Sequence, residues 1–204
     1  MGKRSGFERK ERDWYPTPLE GMYALLPHLP AAPFRFFEPC AGDGVMIDHM
    51  AAIRPDCLCI GGSDLKPMAK GIEEADLLTE LPIGVLMADL NITNLPWDRK
   101  VMHPLIRALT SVDTPLWTLI DSNWANTEQA GPFMTDLCAK IVQVGRLKWE
   151  PGSEHTGKDD CAWYLFDKNH VGSPTFHGRL SRAEKKAYGD KFQPKQPKQE
   201  KETA

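Results

Sequence analysis

The stretch "EPCAGDG", Glu38 to Gly44, puts an acid and two glycines between the apolar run "FRFF" and the helix-compatible "VMIDHMAAI". Glycines at such a turn let a ligand approach backbone where a side chain would clash. The spacing Glu38-x-x-x-Gly42-x-Gly44 is not G-x-G-x-x-G, and no G-x-x-x-x-G-K-[ST] occurs, so a phosphate cradle is disfavoured. Glu38 would repel a pyrophosphate but complements an ammonium group. Asp64, in "IGGSDL", follows the glycines by about 20 residues at the end of the next apolar run, where a carboxylate accepts both hydroxyls of a ribose. Asp76, in "EEADLL", is placed to accept from an adenine amine between the apolar Leu77 and Leu78; its alternative is a helix cap or a surface acid. Ammonium, ribose and adenine without phosphate describe S-adenosyl-L-methionine. A second unusual ending is "NLPW", Asn94 to Trp97, where an apolar run closes on an amide, a proline and a tryptophan.

These groups need a scaffold that ends strands side by side. Short β-rich runs alternate with helix-compatible stretches, the pattern of an α/β sheet. Candidate strands are 34–38, 57–64, 85–93, 116–121, 140–149 and 161–167, with helices in "DGVMIDHMAAI", "VMHPLIRAL" and "QAGPFMTDLCAKI". The Gly/Pro/Asp-rich "EPGSEHTGKDD" between the last two strands predicts an antiparallel hairpin at one sheet edge.

A chain of 204 residues with 41% hydrophobic content is long enough for one sizeable core, and a single globular domain is expected. No run approaches the roughly 18 apolar residues of a membrane span, and the charged N-terminus has no signal-peptide core behind it, so the expectation is a soluble, cytoplasmic protein with no membrane partner. Five cysteines, Cys40, Cys57, Cys59, Cys138 and Cys161, suit reduced thiols better than a disulfide framework. Cys57 and Cys59 lack a second ligand pair, and no metal site is assigned. Residues 1–12 carry five Lys/Arg against two Glu, and 182–204 carry seven Lys/Arg against four Asp/Glu, while the whole chain is −3. The body is thus acidic, with a basic N-terminal arm over 1–12 and a basic tail, expected to be disordered, over 181–204. Either end could touch phosphates.

In order, "YPTP" (15–18), "EPCAGDG" (38–44), "SDL" (63–65), "NLPW" (94–97) and "WYLFD" (163–167) resemble the motifs of phage and prophage adenine-specific DNA methyltransferases. The likeness covers roughly 13–180, expected to be the methyltransferase domain, and "EPCAGDG" with the downstream "NLPW" is specific in combination. It implies a three-layer Rossmann-like class I methyltransferase fold, with a mostly parallel seven-stranded sheet and an antiparallel edge hairpin. It also implies S-adenosyl-L-methionine as cofactor, held by Tyr15, Thr17, Pro18, Glu38, Pro39, Cys40, Ala41, Gly42, Gly44, Asp64, Leu65, Asp76 and Leu77. Asn94, Leu95, Pro96 and Trp97 become the catalytic segment. The Asn94 side-chain oxygen accepts one N–H of the target amine, the Leu95 carbonyl accepts the other, and Trp97 stacks on the extruded base.

The family's usual Asn-Pro-Pro-aromatic has proline where this chain has Leu95. Leucine keeps the carbonyl and Pro96 still holds its predecessor extended, so what is lost is loop rigidity, an effect of order 1 kcal/mol. Trp97, Trp124, His155, Thr156 and Lys158 are the candidate substrate contacts, with a core tryptophan and a hairpin tip as the alternatives for the last four. Short connections imply relaxed sequence specificity. The expected partner is DNA and the expected assembly a monomer or homodimer. Alternatives are an RNA adenine or protein glutamine methyltransferase, or a non-catalytic S-adenosylmethionine or DNA-binding protein.

Overall fold

The computed structural model describes residues 15–150 and 156–192. Helix α1 (Leu19–Tyr23) leads into β1 (Arg35–Glu38), α2 (Val45–Ile53), β2 (Leu58–Asp64) and β3 (Ile72–Glu74). Then come α3 (Ile83–Met87), β4 (Leu90–Asn94), α4 (Arg99–Leu109), β5 (Leu116–Asp121) and α5 (Gly131–Asp136). The chain closes with β6 (Cys138–Gly145), β7 (Cys161–Phe166), β8 (Thr175–His177) and α6 (Arg182–Phe192). The strands form one sheet in the order β3-β2-β1-β4-β5-β7-β6-β8. β3, β2, β1, β4 and β5 pair in parallel; β7 runs antiparallel to both β5 and β6; β8 lies parallel to β6.

Alternation along the strands makes three layers, because successive side chains point to opposite faces. Phe36, Ile92, Trp117, Leu119 and Trp163 pack with Met22 and Leu25 of the α1 region and with Met46, Met50 and Ile53 of α2. Phe37, Leu116, Ile120, Tyr164 and Phe166 pack on the other side with Val85 of α3, Phe133 of α5, and Met102, Leu105, Ile106 and Leu109 of α4. The central strands read as continuous apolar runs because both of their faces are covered.

Several sequence expectations are corrected. The run 85–93 is not one strand: it is the end of α3 followed by β4. Apolar composition alone does not separate a short buried helix from a strand. Pro82, at φ −54°, starts the helix, and Asp89 breaks the run by pairing with the first residue of β1: Arg35 N donates to Asp89 Oδ2 at 2.7 Å and Nη2 lies 2.9 Å from Oδ1. The third candidate helix shrinks to α5, and its last residues begin β6. Eight strands replace the expected seven, and β8 covers β6, so the hairpin is not the outermost pair. The tail expected to be disordered from residue 181 begins instead with α6, docked on α1 by Lys185–Glu20 at 3.2 Å and by stacking of Tyr188 on Tyr23 at 5.5 Å. Among the described residues, no helix is long and apolar enough to cross a membrane.

Gly84 lies where α3 closes on the sheet, so that an added Cβ would overlap the buried Phe37 ring. Gly84→Ala is therefore expected to lower stability by about 1–3 kcal/mol through overpacking, read as a lower denaturant midpoint at unchanged slope.

His28 contacts His177 of β8, with ring centroids 4.4 Å apart. Burial, then the His177 and Lys140 charges, push the His28 pKa from 6.5 down to about 4. The unfolded chain takes up this proton before the folded one does, so stability declines as pH falls from about 6.5 towards 4. Denaturation series at pH 7, 5.5 and 4.5 are expected to show wild type losing ground relative to His28→Gln, and the difference isolates this imidazole from other titrating groups.

Candidate active site

A cavity of about 940 Å³ opens beyond the carboxyl ends of β1, β2 and β4, within the range of small-molecule sites. Its floor is the turn after β1. Gly42 and Gly44 have φ of 55° and 77°, a conformation that glycine adopts without strain. The turn is laced to β2: Ala41 N donates to Ser63 O at 2.8 Å and Gly42 N to Asp64 Oδ2 at 2.9 Å. Ser63 Oγ donates to Pro39 O at 3.0 Å, and Lys66 N to Asp64 Oδ1 at 2.8 Å. Cys40 N donates to Thr93 Oγ1 of β4 at 3.2 Å. Burial, with the Asp64 and Glu38 charges, pushes the Cys40 thiol far up, which disfavours its thiolate at neutral pH.

Glu38, the last residue of β1, is only 3% exposed, and its Oε2 has no hydrogen-bond partner. Burial, then the negative charges of Asp43 and Asp64, hold its carboxyl well above the ordinary range. A buried carboxylate with an unpartnered oxygen is costly, and a cation entering the cavity would relieve that cost. Asp64 also lines the cavity, as do Pro39, Cys40, Ala41, Gly42 and Leu65, but Gly44 does not. Asp76 lines it while also capping a local turn, accepting from Leu78 N at 3.0 Å and Thr79 Oγ1 at 3.1 Å, so both of its readings coexist. Leu77 lies between cavity and core at 6% exposure.

Tyr15, Pro16 and Thr17 cross the cavity as a strap, whereas Pro18 stands outside the lining as the residue preceding α1. The strap meets the end of β4, where Asn94 Nδ2 donates to Tyr15 O at 3.4 Å. A carbonyl only accepts, so the amide must present its nitrogen there. Asn94 Oδ1 is thereby left aimed away from that carbonyl, buried and without a partner. Leu95 is 2% exposed and packs in the core under α3 and α4, while Pro96 lines the cavity. Trp97 is half-buried against the core and outside the cavity lining, its ring edge-on to Trp149 at 5.6 Å, and Trp149 lies 6.2 Å from Tyr15.

None of the described candidate substrate contacts, Trp97, Trp124, Thr156 and Lys158, is among the residues that line the cavity. Trp124 is a core residue, 1% exposed, packed on Phe133, Tyr164 and Phe166, with Nε1 donating to His103 Nε2 at 2.9 Å. The 3-10 turn after β5 folds it among aromatic neighbours, so its alternative reading as a core tryptophan holds. His155 lies outside the described residues. Thr156 and Lys158 are exposed on the hairpin limb whose Gly157 N donates to Leu147 O at 2.8 Å. Sequence reading missed Trp149, which was counted as a strand end, and Asp98, Val101 and Leu105 of the α4 segment, which line the cavity. The sequence marked this stretch only as helix-compatible and gave no sign that its first turns also face a site.

No family model matches this sequence, and no curated protein does. Solved structures do match. A Listeria monocytogenes protein assigned to the class I S-adenosylmethionine-dependent methyltransferases aligns with TM-score 0.58 at 11% identity, over 91% of this chain and 72% of that one. A modification subunit assigned to a type I restriction enzyme from Vibrio vulnificus aligns with TM-score 0.51 at 11% identity, over 91% of this chain and 54% of its own. The dimethyladenosine transferase of Plasmodium falciparum aligns with TM-score 0.50 at 14% identity, over 76% of this chain. This chain spans 63% of that transferase. The fold is that of the Rossmann-like class I methyltransferases.

Proposed function

We propose that this chain binds S-adenosyl-L-methionine and transfers its methyl group to the exocyclic amine of adenine in DNA, with relaxed sequence specificity, marking phage DNA against host restriction. The observation that carries the reading is Asn94: an amide anchored through Nδ2 to the Tyr15 carbonyl, with a buried, unsatisfied Oδ1 beside a cavity whose acid, Glu38, has one unpartnered oxygen.

The residues fit the cofactor. Glu38 Oε2 lacks the cationic partner that an amino-acid ammonium supplies, Asp64 offers carboxylate lone pairs where a ribose would lie, and Leu77 and Leu78 wall an adenine slot closed by Asp76. When bound, the cofactor supplies an electrophilic methyl group on a sulfonium. The chain's own work is on the amine, whose lone pair is delocalised into the base. Asn94 Oδ1 accepts one N–H and the Leu95 carbonyl the other, which favours the tetrahedral nitrogen and the positive charge that develops on it. Leu95 replaces the usual proline without freeing the loop, since its side chain is locked in the core. Trp97 supplies a π face for the extruded base, offsetting part of the few kcal/mol that extrusion costs. Thr156 and Lys158 on the hairpin limb are suited to backbone contacts.

The second reading is adenine in RNA, because Asn94 recognises an amine and not a polymer. Labelled methyl transfer in a mixture of unmethylated DNA and RNA at equal adenine content separates the two: label is expected in the DNA fraction, and label confined to RNA would overturn the DNA assignment.

A further inference from the structure

Trp149 stands where three segments meet. Its indole is edge-on to Trp97 of the catalytic segment, with centroids 5.6 Å apart and planes at 87°, and lies 6.2 Å from Tyr15 of the strap. Among the described residues, it is the one aromatic ring in contact with Trp97. Its third neighbour is the hairpin limb. Gly157 N donates to Leu147 O at 2.8 Å, which folds the limb back over the chain leaving β6 and brings Gly157 against the indole. A Cβ added at Gly157 would lie 2.9 Å from Trp149 Cδ1 and 3.1 Å from Nε1, so a larger residue there moves the ring. Trp149 and Trp97 also pack against one core cluster, which includes Phe36, Ile92 and Trp163.

We infer that Trp149 is a positioning residue: in contact with both the limb and Trp97, it sets the Trp97 indole for the extruded base to stack on. The inference rests on the function proposed above. Pro96 lines the cavity, and Trp97 follows it on the side of Trp149. A tryptophan on a loop must give up side-chain freedom before it can serve as a platform. Edge-on packing is a preferred arrangement of aromatic pairs, so Trp149 removes that freedom before the base arrives. The limb also carries the exposed Thr156 and Lys158, and Trp149 ties a grip on the DNA backbone there to base stacking at Trp97.

The test is a double-mutant cycle on the full chain at saturating S-adenosyl-L-methionine, read as kcat/KM for methyl transfer to short DNA duplexes. On a paired adenine, Trp97→Ala is expected to lose about 10–100-fold, the worth of one base stacked on an aromatic ring, and Trp149→Ala about tenfold. Because Trp149 acts through Trp97, the double variant is expected to lose no more than Trp97→Ala alone. Trp149→Phe, which keeps a ring for the contact, is expected to recover most of the loss. Gly157→Ala displaces the ring from the limb and is expected to cost about threefold in wild type, with nothing further lost in Trp149→Ala. With the target adenine opposite an abasic position, extrusion costs least, and the Trp149→Ala loss is expected to shrink to within about threefold. Losses that multiply in the double variant overturn the inference by making Trp149 independent of Trp97. Equal losses on paired and unpaired adenine, with a matching fall in Tm, overturn it by reducing Trp149 to packing. Wild-type kinetics in Gly157→Ala overturns the limb's part in it. Wild type that binds the cofactor but methylates neither duplex overturns the functional reading, and the inference with it.

Discussion

Asn94→Ala is expected to lower kcat for methyl transfer by about 10²–10³, the effect of deleting one preorganised group aimed at developing charge. Cofactor affinity is expected to stay within about threefold, since the lost oxygen acts on the amine and not on the ground-state cofactor complex. The basis is geometric: Oδ1 is buried and unsatisfied, so its removal costs the folded protein little and the transition state much. Asn94→Asp is a sharper comparison. It keeps an acceptor towards the substrate but sets a second carboxylate oxygen against the Tyr15 carbonyl, which now accepts from Nδ2 at 3.4 Å. Activity between wild type and Asn94→Ala is expected. Steady-state kinetics with calorimetric cofactor titration measures both effects; a fall in affinity equal to the fall in kcat would make Asn94 a structural residue.

Glu38→Gln is expected to weaken S-adenosyl-L-methionine binding by about 10–100-fold, the worth of a charge-assisted hydrogen bond in a buried site. The same substitution is expected to stabilise the unliganded protein, because the wild-type carboxyl is held among Asp43 and Asp64 with one oxygen unpartnered. The pH dependence follows from the direction of its shift. Glu38 keeps its proton in the fold above the ordinary carboxylate range, so unliganded stability falls as pH rises from 4.5 through the raised value. Only the ionised form pairs with an ammonium, so wild-type cofactor affinity rises over that same interval, and Glu38→Gln flattens both profiles. Thermal melts with and without cofactor across pH measure the two opposite slopes. A variant less stable than wild type and equally avid for cofactor would remove Glu38 from the site.

The fold was legible wherever chemistry and periodicity agreed. β5 lies at 116–121 as expected, a short run that follows Pro115 and ends on Asp121. β1, α2 and the glycine turn were readable because the residues that shape the turn also shape the site. β3 and β8, with three residues each and exposed faces, carry no alternation long enough to detect, and they pair only because β2 and β6 offer open edges. The Asn94 to Trp97 motif named a place in the sheet but not its second partner: no spacing rule links Tyr15 to Asn94, and only the closed fold brings that carbonyl to the amide. Trp124 shows the reverse, a tryptophan in a polar-looking loop that tertiary packing claims for the core.

The most direct measurement is nucleoside analysis of unmethylated DNA after incubation with the protein and methyl-labelled S-adenosyl-L-methionine, with Asn94→Ala in parallel. N6-methyladenine from wild type and its near-absence from the variant is the predicted result. Label on another base, label retained equally by Asn94→Ala, or no transfer to DNA despite cofactor binding would contradict the account.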